Sequence, residues 1–380
     1  MNQNIKFLIV AGEASGDRHA AFLVSELKKC HSRAEFYGIG GNEMTKQGVA
    51  LFFHIKDMAF LGLFEIIRHL PFIHRVFQQI KTWLEKEKPT AVILVDYPGF
   101  NLKLARVAHE MHIPVIYYIC PQIWAWGQKR VEKIRRNVDL PLVIFQFEKE
   151  YYKQFQIDVK FVGHPLLDQT QIRMSDKTFR EKYGLALDKP IVALLPGSRL
   201  NEVKKLLPIM IDTARKMKNH LDLQWVVGKS PAISKEVYRN LTKNVGFIKI
   251  LDDGTYPLMK YAKLALVASG TATLETGYLE TPMIVLYKIS PLTYFIGRFM
   301  VKIERIALVN IVMGKTVVPE LIQKQASPEN VRKEMEKYLT DQNYYMTVRK
   351  ELKNIPKVLG IPGTAERAAR EIINYLKFKL

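Results

Sequence analysis

Carboxylates and glycines recur in this chain just where short apolar runs end, and those are positions from which proton transfer and phosphate binding can be done. Residues 91–95, Ala-Val-Ile-Leu-Val, deliver Asp96, followed by Tyr97-Pro98-Gly99-Phe100-Asn101. A carboxylate at a strand's end can take a proton from a bound hydroxyl, or can serve only as a cap in a solvated loop. Residues 191–195 give way to Pro196-Gly197-Ser198-Arg199. Gly197 lets a ligand approach the backbone, Ser198 stands at the helix start with its unpaired N–H groups, and Arg199 adds a permanent fork of donors. The set suits a phosphate or pyrophosphate, and equally an ordinary strand-to-helix turn with a surface arginine. After 264–268 the form returns as Ser269-Gly270-Thr271-Ala272-Thr273-Leu274-Glu275. Small residues there admit a diphosphate, and Glu275 can bind ribose hydroxyls or merely cap or pair with a lysine.

Other clusters point to sugar or lipid. Gly12-Glu13-Ala14-Ser15-Gly16-Asp17 follows the strand pattern 5–11, but the charges of Glu13 and Asp17 would repel a pyrophosphate. Glu13, Ser15 and Asp17 suit sugar hydroxyls better, with helix capping by Ser15 or Asp17 as the competing role. Trp124 and Trp126 beside Lys129 and Arg130 make a platform for a lipid, a sugar ring or a base, although the charges fit a solvated helix face as well. Stretch 58–77 sets Phe60, Leu63 and Phe64 among basic residues, the composition of an interfacial helix for an acyl chain or of a buried helix pair. A second apolar-basic stretch covers 291–302.

The elements that must position these residues alternate. Strands are expected near 5–11, 35–38, 91–95, 114–119, 142–145 and 159–162, then near 191–195, 223–227, 246–250, 264–268 and 283–287, with helices between. Helices at about 328–353 and 364–378 close the chain. This is an α/β pattern of parallel sheets, whose ligands gather at the carboxyl ends of the strands. A length of 380 residues implies two domains, and Gly163-His164-Pro165 marks a hinge, with His164 a packed linker residue or a group facing a cleft. The predicted division is 1–165, 166–345 and a helical segment at 346–380.

Bulk properties narrow the partners. Lys and Arg number 57 against 37 acids, a net charge of +20 that implies nucleic acid, anionic lipid or a phosphorylated substrate. Cys30 and Cys120 lack metal-ligand spacing and form no disulfide framework, so a reducing cytoplasm is the simplest compartment and no metal site is expected. The first residues lack a signal-peptide pattern, and no uncharged run is long enough to span a bilayer, so any membrane contact is expected to be peripheral.

Taken together, Ala11-Gly-Glu-Ala-Ser-Gly-Asp17, Asp96-Tyr-Pro-Gly-Phe-Asn101, Pro121-Gln-Ile-Trp-Ala-Trp126, Gly163-His-Pro165, Leu195-Pro-Gly-Ser-Arg199, Ala268-Ser-Gly-Thr-Ala-Thr-Leu-Glu275 and Val318-Pro-Glu-Leu-Ile322 resemble the lipid-A-disaccharide synthases in order and interval. The resemblance implies a GT-B fold of two facing Rossmann-like domains, the first for the lipid acceptor and the second for the UDP-sugar, with a C-terminal helical segment that packs back on the first domain or is exchanged in a homodimer. It implies Asp96 as general base, Arg199 on phosphate, Glu275 on ribose and Asn310 in the nucleotide-sugar site. It also implies a peripheral protein of the inner membrane's cytoplasmic face. The chain departs from the family at Gly99, where some members carry a second acid, and at Cys120, where serine is usual.

The expected reaction is inverting transfer of 2,3-diacylglucosamine from UDP-2,3-diacylglucosamine to the 6-hydroxyl of 2,3-diacylglucosamine 1-phosphate, without metal or cofactor. A UDP-sugar epimerase, or a GT-B transferase with a non-acylated acceptor, fits the same fold. A nucleic-acid binder fits the charge but not its spread over both domains, and no nucleic-acid motif accompanies it.

Overall fold

The computed structural model describes residues 5–58, 63–124, 130–170, 172, 174–218, 222–289 and 305–377, with the backbone alone at 58 and 63–69. The chain folds as two compact units, residues 1–168 with 359–380, and residues 169–358.

In the first unit β1 (Lys6–Ala11), β2 (Glu35–Gly40), β3 (Ala50–His54), β4 (Ala91–Val95), β5 (Val115–Tyr118), β6 (Leu140–Val143) and β7 (Lys160–Phe161) form one parallel sheet in the order β3-β2-β1-β4-β5-β6-β7. Val92, Ile93, Leu94 and their β1 partners Leu8, Ile9 and Val10 are completely buried. Such two-faced burial is why these strands read as unbroken apolar runs rather than alternating ones. The chain departs from β1 toward β2 on one side and later toward β5 on the other, so the β1–β4 seam, with Ala11 opposite Val95, is the topological switch point.

The second unit repeats the plan with β8 (Ile191–Leu195), β9 (Gln224–Gly228), β10 (Ile248–Leu251), β11 (Leu264–Ala268), β12 (Met283–Tyr287) and β13 (Glu320–Ile322), in the order β10-β9-β8-β11-β12-β13. Its switch point is the β8–β11 seam, where Val267 lies opposite Leu195. Two parallel sheets, each flanked by helices, make the Rossmann-like pair of a GT-B fold.

Three elements differ from the sequence reading. β3 and β13 are edge strands, and their burial is only partial, so neither shows the apolar run that marks a central strand. The single helix expected over 328–353 is two, Pro328–Thr340 and Gln342–Leu352. Asp341 between them is extended, and its carboxylate accepts the Tyr344 N–H at 2.9 Å, a cap that restarts the helix. Stretch 63–87 forms one helix, Leu63–Glu87, with Pro71 inside it. Its later turns bury Val76, Ile80 and Leu84 in the core, while Leu70 is 52% exposed.

The C-terminus belongs to the first unit. Helix Thr364–Lys377 starts where Asp168 accepts the N–H groups of Gly363 and Thr364, at 2.5 and 2.8 Å. Arg367 donates to the Val162 carbonyl at 2.9 Å. Among the described residues no helix is long and apolar enough to cross a membrane.

Candidate active site

In the first unit, the candidate catalytic and sugar-binding residues of the sequence follow the carboxyl ends of β1, β4 and β5. Asp96 and Tyr97 follow β4 with φ of 48° and 50°, two successive non-glycine residues in the left-handed region. Each such residue costs on the order of 1–3 kcal/mol and persists only where its surroundings fix it. They do so here: the Asp96 carbonyl accepts the Tyr117 hydroxyl at 2.7 Å and the Asn101 side-chain amide at 2.7 Å, and that amide also reaches the Val95 carbonyl at 3.3 Å. Burial holds the Tyr117 phenol far above its ordinary pKa, so it remains a donor. The Tyr97 ring covers Gly12, where any Cβ would collide with it, which ties the β1 turn to the β4 turn.

Asp96 is half-buried, and burial pushes its carboxyl pKa up to about 6, with the nearby Glu13 carboxylate pushing the same way and the Tyr97 N–H pulling it back. A base with that value is ionised at neutral pH and still binds a proton readily. Glu13 is exposed beside it at the start of helix Ala14–Cys30, and Ser15 is half-buried in that helix's first turn. Asp17 has another task. It is buried, and its carboxylate accepts the N–H groups of Gly41, Glu43 and Met44 at 2.6, 3.0 and 3.1 Å, so it caps helix Asn42–Lys46, the next helix rather than its own.

Beyond β5, Trp124 is half-buried, with its indole N–H on Glu148 at 3.0 Å and its ring edge-on to Phe147 at 5.1 Å between centroids. Arg130 begins the turn before helix Val131–Asn137, and its charge bears on Tyr117. Trp126, Lys129 and Phe60 lie outside the described residues, as does stretch 291–302, and Leu63 and Phe64 are placed only as the first residues of helix Leu63–Glu87. His164 packs on Phe145 at 5.0 Å, accepts the Leu166 N–H at 3.1 Å, and is driven down to about 3 by burial, so it stays neutral as a packed linker residue.

In the second unit the two glycine turns meet at the β8–β11 seam. Gly197 has φ of 113°, and a Cβ there would strike the Glu202 carboxylate, so this turn requires glycine. Glu202 accepts the Arg199 N–H and its guanidinium, both at 3.3 Å, while Ser198 and Arg199 remain exposed at the start of helix Leu200–Met217. Across the seam Gly270 and Thr271 are exposed at the start of helix Thr271–Tyr278, and Ser269 donates to the Ile306 carbonyl at 2.9 Å. Glu275, one turn along, accepts the Tyr256 hydroxyl at 2.9 Å. The edge therefore presents two helix starts and one guanidinium, an arrangement that favours a diphosphate.

Asn310 is completely buried and its amide is fully engaged: Val317 and Val318 donate to it, at 2.8 and 3.0 Å, and it donates to the Val318 carbonyl and to Glu320, both at 2.8 Å. Glu320 in turn accepts the Ile306 and Ala307 N–H groups, at 2.8 and 3.1 Å. Asn310 is thus joined through Glu320 to Ile306, whose carbonyl accepts the Ser269 hydroxyl. The sequence reading gave no role to Tyr117, Glu148 or Glu320. Tyr117 and Glu148 are buried and Glu320 half-buried in positions that local spacing does not reveal, though Glu148, the third residue of helix Gln146–Lys153, has a capping position that spacing could have flagged.

Residues 7–366 match the model of the lipid-A-disaccharide synthetase family. The chain is 44% identical to the lipid-A-disaccharide synthase of Syntrophus aciditrophicus over 374 residues, 97% of each protein, and 37% identical to that of Myxococcus xanthus over 373 residues, 98% of this chain and 97% of the relative. Among solved structures it resembles UDP-GlcNAc 2-epimerase from Neisseria meningitidis bound to UDP-GlcNAc, with a TM-score of 0.67 at 14% identity over 98% of this chain and 100% of that one. The calicheamicin glycosyltransferase CalG4 gives 0.63 at 14% identity, covering 99% of each. An epimerase and a transferase share this fold, so these structures speak to architecture and not to reaction.

Proposed function

The chain belongs to the lipid-A-disaccharide synthetase family, and from that membership we propose that Asp96 is the base, and the turns at Gly197 and Gly270 the diphosphate site, of its glycosyl transfer. The enzyme is an inverting glycosyltransferase that makes the lipid A disaccharide. The donor is UDP-2,3-diacylglucosamine and the acceptor 2,3-diacylglucosamine 1-phosphate. The acceptor's 6-hydroxyl attacks the anomeric carbon, its proton passes to Asp96, and the bond to UDP breaks in the same displacement, which inverts the configuration. Arg199 and the two helix starts offset the charge that grows on the leaving diphosphate, the role a metal plays in other transferases. Glu275 takes the ribose hydroxyls, and Glu13 and Ser15 take acceptor hydroxyls beside Asp96.

The observation that carries this reading is the elbow at Asp96 and Tyr97, a costly backbone conformation that brings a carboxyl of pKa about 6 to the carboxyl edge of its sheet. Acylated substrates and an anionic membrane surface are supported by the net charge of +20 and by the exposed Leu70 among the basic residues of its helix. The same reading places the protein peripherally on the inner membrane's cytoplasmic face as a homodimer. Incubating the protein with both acylated substrates is expected to release UDP and disaccharide one for one. Equal turnover of non-acylated UDP-GlcNAc, or its epimerisation with no acceptor added, would contradict the proposal.

A further inference from the structure

Glu148 is completely buried, and among the described residues no cation pairs with it. An isolated buried carboxylate is expensive unless donors surround it. Its two oxygens are used differently. Oε2 accepts the N–H groups of Ile144 and Phe145, at 3.2 and 3.0 Å, which is the service a glutamate at the third position of a helix renders to the cap. Oε1 accepts the Trp124 indole N–H at 3.0 Å, a bond the cap does not require. Phe147, from the same helix, meets the Trp124 ring edge-on, and Phe147 itself stacks on Phe145 at 5.5 Å. Trp124 is therefore gripped at its N–H and at its ring by helix Gln146–Lys153, and it stands beyond β5, the strand next to β4, which Asp96 follows.

We propose that Glu148 is a positioning residue for the acceptor: through its hydrogen bond to the Trp124 indole it fixes that ring as a wall against which the acceptor's sugar and acyl portion rest. The inference rests on the reading that the first unit binds the acceptor, but not on Asp96 being the base.

Glutamine separates the two duties of Glu148. Its amide oxygen still accepts from the capping N–H groups, whereas its amide nitrogen faces the indole N–H donor against donor. Steady-state kinetics with each substrate varied in turn, on wild type, Glu148→Gln, Trp124→Phe and the double variant, test this. Loss of one hydrogen bond changes an equilibrium by up to about tenfold. Both single variants are expected to raise the acceptor KM by about that factor with the donor KM nearly unmoved, and the double variant to be no worse than Glu148→Gln alone. An unchanged acceptor KM, additive effects, or a rise in the donor KM instead would overturn the proposal. Should Glu148→Gln fail to fold, Trp124→Phe leaves the cap intact, and an unchanged acceptor KM in it overturns the proposal by itself. Loss of turnover on changing Asp96 is read in kcat, so the base assignment and this one fail separately.

Discussion

At the residue scale, the unusual feature of Asp96 is that its backbone and its side chain are both held against preference. The backbone is fixed by Tyr117 and Asn101, and the carboxyl by packing that favours its neutral form over the ion. The consequence for stability has a definite sign. A carboxyl whose pKa is raised on folding binds more protons in the folded state, so stability falls as pH rises from about the ordinary carboxylate value to about 6, and the full penalty stands above that. Asp96→Asn removes the penalty. Its melting temperature is expected to exceed that of wild type at pH 8, with the difference closing toward pH 4. A variant that melts lower than wild type at pH 8 would mean that the carboxylate is stabilising where it stands. Enzymes commonly accept such local instability where function needs the charge.

At the element scale, the two turns of the second unit work by different means. The Gly197 turn is set by glycine's freedom and by Glu202, which reaches back to Arg199. Gly197→Ala places a methyl on that carboxylate and a side chain where φ is 113°, so Arg199 shifts with Glu202. Affinity for UDP, measured by calorimetry, is expected to fall about tenfold, the value of one lost charge-assisted contact. Unchanged affinity would take the Gly197 turn out of the diphosphate site. This element was legible in the sequence because a buried strand, a glycine and an amphipathic run follow one another without interruption over 191–210. The same held for β1, β4 and β11, whose burial on both faces writes itself as apolar runs. β3 and β13 were not legible, since edge strands are only half-buried, and neither was the break at Asp341, where a cap outweighs a helical pattern that continues on both sides. Asp17 was recognisable as a polar residue of the turn after β1 and Asn310 only through the family resemblance, but their partners, 24 residues away at Gly41 and 7 at Val317, are fixed by packing that neither reading contains.

At the scale of the whole molecule, each unit presents one half of the proposed chemistry on its own switch point: the Asp96 carboxyl at the β1–β4 seam, and helix starts with a guanidinium at the β8–β11 seam. The C-terminal helix returns to the first unit through Asp168 and Arg367, so the unit that carries Asp96 is closed by both ends of the chain. Such a division of labour means that the two halves can be damaged independently. The most direct test is turnover of Asp96→Asn at saturating concentrations of both acylated substrates and pH 8, with donor affinity measured on the same preparation. Turnover is expected to fall by a factor on the order of 10²–10⁴, the usual contribution of a general base, while donor affinity stays near that of wild type. Near-normal turnover would contradict the assignment of the base to Asp96.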